Sequence, residues 1–393
     1  MIRVLVAIAS FAVIVVVLWD AFETIVLPRR VTRRLRVTTF YYSVTWRPWR
    51  SLVRLFRTHK RREVLLSVYG PLSLLALIVL WAIGLVFAFG LLHWSIGTPL
   101  NIAADSADLT TYLYMSGVVF FTLGFGDVTP VGGVGRMLTV LQSGLGFGVL
   151  AIVIGYLPVL YQAFSRREAN ISLLDARAGT PPTAAELLRR HGRAGNMKAL
   201  DKLLSDWEVW SADLMESHLS YPVLCFFRSQ HDNQSWLSSL TTILDSCALV
   251  MVGVDNAPTW QAQLTFAMAR HTVVDLSQIS DSAPLEWNDD RLPPAELARL
   301  RLSLAADNVP LNDGADADAR LAELRRMYEP YVASLADHLA MPLPPWIHER
   351  DAVDNWQTSA FERNPHRVAE TVANACRHAR ETKSSAAASK HAK

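Results

Sequence analysis

Apolar residues gather into long uninterrupted runs before residue 165 and into shorter, periodic ones after it. Val4 to Leu27 is apolar almost throughout. At about 1.5 Å per helical residue it exceeds a hydrocarbon core of about 30 Å, which predicts a spanning helix. Val64 to Trp94 predicts a second span, with Pro71 in its first turns, where a missing amide donor costs little. A third runs from about Val134 to Phe164. The first run lacks the basic lead and small-residue cleavage site of a signal peptide, so it is expected to be a retained anchor.

Charge orients these spans. Twelve basic residues stand from Arg29 to Arg62, with no acid before Glu63. A loop so basic is expected on the cytoplasmic side, which places the N-terminus outside, residues 95–109 outside, and Arg166 and Arg167 inside. Residues 29–62 are expected to attract anionic lipid headgroups; a dedicated regulatory lipid site is the alternative. Arg-rich voltage sensors space their cations every third position inside an apolar helix, and no such series is visible. Asp20 and Glu23, near the inner end of the first span, are either interfacial acids paired with nearby arginines or proton or cation sensors.

With hydrophobic residues at 51% and charged residues at 19%, the chain is not one soluble globule, and a net charge of +2 does not suggest a nucleic-acid binder. Cys225, Cys247 and Cys376 have no metal-ligand spacing and suggest no disulfide framework.

The segment Thr110 to Phe121 is apolar but too short to cross a bilayer, and it lies between two spans that both reach the outer face. A re-entrant half-helix accounts for it, since irregular backbone at membrane depth is tolerated only in protein or beside a wet cavity. It is followed by Thr122-Leu123-Gly124-Phe125-Gly126-Asp127. A cation leaving water needs replacement oxygens, and backbone carbonyls from several chains supply them without burying a negative charge. Turning consecutive carbonyls one way requires dihedrals that suit glycine at alternate positions, as at Gly124 and Gly126. The carbonyls of Thr122, Leu123, Gly124 and Phe125, with the Thr122 hydroxyl below, would form successive ion sites, with the Leu123 and Phe125 side chains directed into surrounding packing. Asp127 adds negative potential at the outer end.

Here the sequence resembles the potassium-channel pore-loop family, whose filter reads Thr-Val-Gly-Tyr/Phe-Gly-Asp. The resemblance spans roughly residues 65 to 165 and implies four such loops around one path, hence a homotetramer whose permeant ion is K+ and which needs no cofactor. It extends to Gly135-Arg136 and to Gly146, where many members carry a Gly-Arg pair and a hinge glycine. Gly144, Gly146, Gly148 and Pro158 are candidate hinges opening an inner gate lined by some of Leu157, Leu160 and Tyr161; the alternative is that the small residues permit close helix packing. Leu123 stands where Val or Ile is usual, Phe121 where a second Thr is usual, and Val118 where some members carry a Glu paired with the filter Asp. Phe125 lacks the phenolic hydroxyl of the common Tyr. Neither glycine run is a nucleotide site: Gly144 to Gly148 has no preceding strand, and Gly124-Phe-Gly-Asp has no Lys-Ser/Thr.

Residues 164 to 393 hold 24 basic and 30 acidic side chains, net −6, opposite in sign to the basic loop. Thr183-Ala-Ala-Glu186 reads as a capping box, Pro293-Pro294 opens a helix, and Leu203, Leu204, Trp207, Trp210 and Leu214 recur at helical spacing. Further helices are expected near 234–252, 258–279, 316–340 and 348–380. His218, His231, His271, His338 and His348 form no ligand-like pairs, and Asn312 to Asp318 lacks the calcium-loop positions and reads as a solvated turn.

The fold class is thus membrane all-α: three transmembrane helices with a re-entrant pore helix and filter, then a mostly helical cytoplasmic domain. The expected organisation is an N-terminal span over 1–28, a basic cytoplasmic loop over 29–63, the pore domain over 64–165, the helical domain over 166–380 and a disordered tail over 381–393. The expected function is a passive potassium-selective channel of the plasma membrane, not an enzyme, with the helical domain serving assembly or gating. The alternatives are a poorly selective monovalent cation channel and a membrane scaffold with a degenerate pore.

Overall fold

The structure, a computed structural model of the chain, describes residues 1–27, 37–56, 58–102, 107–231, 233–254, 257–285, 290–348, 354–357, 367–368, 370–372 and 374. Arg29, Arg30, Arg33, Arg34, Arg36, Arg57, Cys376, the tail 381–393 and most of the helix expected over 348–380 lie outside the described residues. The described residues form helices and connecting turns, with no strand among them. Two compact units result: 1–165 together with 216–228, and 166–215 together with 229–393.

In the first unit, α1 (Ile2–Ala21) runs on through a π-turn at Phe22–Val26. Ile14 and Val17 of α1 pack against Leu77, Trp81 and Leu85 of α3 (His59–Ile96), while Val4, Ile8 and Phe11 on the other side of α1 are exposed. A helix apolar all round suits lipid on its free side. α1, α3 and α5 (Gly133–Ala178) are each long and apolar enough to cross a membrane.

Several expectations need correction. The basic stretch contains a helix, α2 (Val37–Arg54), rather than loop alone. Thr38, Tyr42, Trp46, Trp49 and Val53 recur at helical spacing there, and Thr38, Trp46 and Val53 are buried while Phe40, Val44 and Leu52 are exposed. α3 begins at His59, so Pro71 lies well inside it and leaves the Ser67 carbonyl without its helical donor. The arginines expected to pair with Asp20 and Glu23, Arg29 and Arg30, lie outside the described residues, and the partners of Asp20 among the described residues are polar groups of α2 and α3. The buried Asp20 carboxylate accepts from the Thr38 hydroxyl (2.6 Å), the Thr38 N–H (3.2 Å) and the Trp81 indole N–H (3.1 Å). Glu23 accepts from the Trp19 indole at 2.8 Å. α5 continues past Phe164 to Ala178 because nothing breaks it before Gly179, whose φ of +80° precedes Thr180-Pro181.

The second unit is built around α8 (Trp236–Gly253), which is apolar enough to qualify as a span by composition but is buried on nearly every side by protein. Leu237, Leu240, Ile243, Leu244 and Cys247 are fully buried, and burial pushes the Cys247 thiol well above its usual range. Asp245 on α8 receives Arg291 at 2.8 Å and the Tyr328 hydroxyl at 2.5 Å. The guanidinium groups of Arg291 and Arg325 both lie over the Trp346 ring, at 5.6 and 5.5 Å. α6 (Ala184–Arg193) is capped by the Thr183 hydroxyl, which accepts from the Glu186 N–H. α7 (Met197–Ser220) buries Leu203, Leu204, Trp207, Trp210 and Leu214. α9 (Thr259–Ile279) and α10 (Pro294–Ala305) follow. The helix expected over 316–340 divides into α11 (Ala315–Arg326) and α12 (Glu329–Leu339), Pro330 starting the second. The turn before α11 is tied to α10 by Arg301, which pairs with Asp318 at 2.5 Å and Asp313 at 3.1 Å.

Candidate functional site

The short apolar segment forms α4 (Leu109–Phe120). Asp108 caps it. Its carboxylate accepts from the Thr111 N–H at 2.9 Å and from the hydroxyls of Thr111 and Thr110, and these bonds, the backbone one foremost, hold its pKa below the usual carboxylate range.

α4 is wedged between α3 and α5 by a few close contacts. A Cβ on Gly90 of α3 would stand 2.7 Å from the Leu113 side chain and 3.1 Å from its Cα, so only glycine admits α4 there. The Ser116 hydroxyl donates to the Val86 carbonyl of α3 at 2.7 Å. Gln142 of α5 donates to the Ser116 carbonyl (2.9 Å) and hydroxyl (2.6 Å), joining all three helices through two fully buried polar side chains. The Tyr112 hydroxyl donates to the Thr98 carbonyl at 2.8 Å.

Beyond α4 the backbone changes character. The N–H of Leu123 still bonds the Val118 carbonyl at 2.9 Å. Along this stretch φ is positive at alternate residues: +56° at Thr122, +63° at Gly124 and +77° at Gly126. Alternation of this kind turns successive carbonyls toward one side of an extended strip. Among the described residues, the carbonyls of Thr122 to Gly126 accept no hydrogen bond, so they are free to act as ligands. The outer end is fastened at Asp127, whose carboxylate accepts from the Tyr114 hydroxyl of α4 at 2.8 Å, while its carbonyl is approached by the Asn101 amide at 3.4 Å. Asn101 also accepts from the Thr129 N–H at 2.7 Å.

The missing glutamate at Val118 therefore does not leave Asp127 without a partner on α4; Tyr114 supplies it. Leu123 and Phe125 are 55% and 65% exposed, so the packing expected around their side chains does not come from the described residues of their own chain. The four hinge candidates differ. A Cβ on Gly146 would stand 2.1 Å from the Phe120 carbonyl oxygen, so this glycine admits the end of α4. A Cβ on Gly144 or Gly148 would meet nothing within 4 Å among the described residues, and Pro158 lies within α5. Of the expected gate residues, Leu160 is fully buried against Leu74 of α3 and does not line a path; Tyr161 is half exposed and Leu157 is partly buried.

Tyr114, Ser116 and Gln142 escaped the sequence reading. The available signal was polarity: Gln142 is an amide inside an apolar span, and Ser116 a hydroxyl inside an apolar half-helix.

Comparison with known proteins agrees with this geometry. Residues 74–162, from α3 through the strip into α5, match the model of an ion channel family. An uncharacterized membrane protein of Bacillus subtilis (strain 168), YdjJ, is 22% identical over 260 residues, covering 65% of this chain and 73% of the relative. No solved structure matches. The chain is a membrane protein, with α1, α3 and α5 long and apolar enough to span, and its segment 74–162 is similar to an ion channel family.

Proposed function

We propose that the protein is a passive potassium-selective channel, built as a homotetramer in which four strips, residues 122 to 127, surround one path. The observation that carries this reading is the strip itself: alternate positive φ and unbonded carbonyls at Thr122 to Gly126. Such oxygens can replace the hydration shell of K+ and cost little, because they are already turned away from competing donors. Thr122 adds its hydroxyl at the inner end and Asp127 its charge at the outer end. Four copies are supported by the apolar surface one chain leaves open on the strip and along α5, including Phe125, Val140, Phe147 and Ile154.

The basic segment supports a plasma-membrane orientation with the N-terminus outside and residues 166–380 in the cytoplasm. It also supports contact with anionic headgroups along 29–62, where α2 exposes Phe40, Val44 and Leu52 beside Arg47 and Arg54. Neither nucleic acid nor a cofactor has a role in this reading. Gly144, Gly146, Gly148 and Pro158 are the hinge candidates for opening, and the helical domain serves assembly or gating.

The test is reconstitution in liposomes under a potassium gradient, comparing the intact chain with Gly126→Asp. The intact chain is expected to pass K+ well ahead of Na+, and the variant to pass neither. Equal flux from both would remove the strip from the conduction path and favour a scaffold with a degenerate pore. Equal K+ and Na+ permeability would favour a poorly selective cation channel, for which Leu123 and Phe121 at unusual positions are the specific grounds.

A further inference from the structure

Residues 216–228 belong to the first unit, although the chain on either side of them, 166–215 and 229–393, makes up the second. The segment comprises the end of α7, a 3-10 turn over Pro222–Phe226, Phe227 and Arg228. Val223, Leu224, Cys225 and Phe227 are buried, and Phe226 is partly buried. Val223, Leu224 and Phe227 form one cluster with Leu74 of α3 and with Tyr156, Leu160 and Ala163 of α5.

The fit is aromatic and specific. The Phe226 ring stacks on Tyr42 of α2 at 5.6 Å with 10° between planes, and meets Trp46 and Tyr69 at 5.0 and 5.3 Å. Phe227 meets Phe164 at 5.7 Å and Tyr161 at 6.2 Å, both on α5. The socket depends on a bare backbone: a Cβ on Gly70 would stand 2.7 Å from the Phe227 ring and 3.2 Å from the Phe226 carbonyl oxygen. Arg228 is buried beside the Glu63 carboxylate at 3.8 Å.

Phe226 thus holds α2 and α3, while Phe227 and Leu224 hold α3 and the inner end of the pore-lining helix. Close-packed interiors shift as blocks rather than deform smoothly, so a displacement of this segment moves the turn around Leu160. We infer that residues 222–227 are the transmission element through which the second unit sets the position of the inner end of α5, and so the opening of the pore. The inference rests on the channel reading above and adds to it the place where control enters.

The experiment is single-channel recording of the reconstituted full-length protein, with assembly checked by size. Phe226→Ala and Phe227→Ala are expected to shift open probability by about 5- to 150-fold, the usual span of allosteric coupling, while unitary conductance and ion selectivity stay unchanged because the strip is untouched. Gly70→Ala displaces the Phe227 ring and is expected to shift open probability in the same direction. Combined with Phe227→Ala it is expected to add less than it does alone, since the 2.7 Å ring contact is gone and only the Phe226 carbonyl oxygen at 3.2 Å remains. Phe227→Leu, which keeps an apolar side chain, covers the case in which alanine prevents assembly, and is expected to give a smaller shift. A conducting wild type whose assembled variants keep open probability within about twofold would overturn the inference and leave the channel reading intact. A wild type that passes no cation would overturn the channel reading, and this inference with it.

Discussion

Gly146 shows how one hydrogen atom in place of a methyl fixes the site. The carbonyl of Phe120 rests where a Cβ would be, at 2.1 Å, and backbone cannot yield as a flexible side chain does. Gly146→Ala is therefore expected to displace the end of α4 and lower potassium flux at least about tenfold, with fewer assembled oligomers, as core overpacking does. A Cβ on Gly144 or Gly148 meets nothing within 4 Å among the described residues of its own chain, and alanine gains about 1 kcal/mol each in helix propensity, so a change in open probability at unchanged assembly in these two variants reports hinging. Gln142→Leu removes both of its bonds to Ser116 and is expected to cost about 1–3 kcal/mol, read as earlier thermal dissociation of the solubilised oligomer. Gly124 and Gly126 were legible from sequence because positive φ restricts residue choice. Thr122 takes φ +56° despite its branched Cβ, so its backbone could not be read from its type. Tyr114 and Gln142 were not legible because each acts on a partner placed by the fold.

Among elements, the spans were legible because lipid demands long apolar runs, whereas ends and polar helices were not. α2 was hidden by its arginines, and the last 14 residues of α5 by the assumption that a helix ends where lipid does. Within the second unit, helix positions are set by charge as much as by burial. Asp307, just past α10, accepts from Arg189 and Arg193 of α6, each at 2.5 Å. Burial pushes the Asp307 carboxyl up, but the bonds from Arg193 and Arg189 outweigh it and hold the pKa below the usual value. The unfolded chain then binds more protons than the folded one near pH 4, so this stabilisation is fully present above about pH 4 and is lost as pH falls through the lower folded value. Asp307→Asn is expected to lower the denaturation midpoint at pH 7 and to shrink the loss of stability on acidification. An unchanged acid limb, measured by denaturant titration across that range, would remove Asp307 from the account.

At the scale of the whole molecule, the discontinuity of the first unit changes what a deletion means. A chain ending at residue 170 lacks more than a regulatory domain: it also lacks Val223, Leu224, Phe226 and Phe227, and uncovers the faces of Tyr42, Trp46, Tyr69 and Leu160 that they bury. Lost flux from such a chain would not separate assembly from gating. Gly70 provides a cleaner measure, because the sign of its substitution depends on whether the segment is present. In the full chain, Gly70→Ala sets a methyl 2.7 Å from the Phe227 ring and should destabilise the oligomer. In the shortened chain that ring is gone, and alanine inside a helix is better than glycine by about 0.5–1 kcal/mol, so the same substitution should stabilise. Thermal melting of four solubilised proteins, the full and the shortened chain each with and without Gly70→Ala, is expected to show that reversal. If Gly70→Ala moved both lengths in the same direction, Phe227 would not occupy the socket at Gly70.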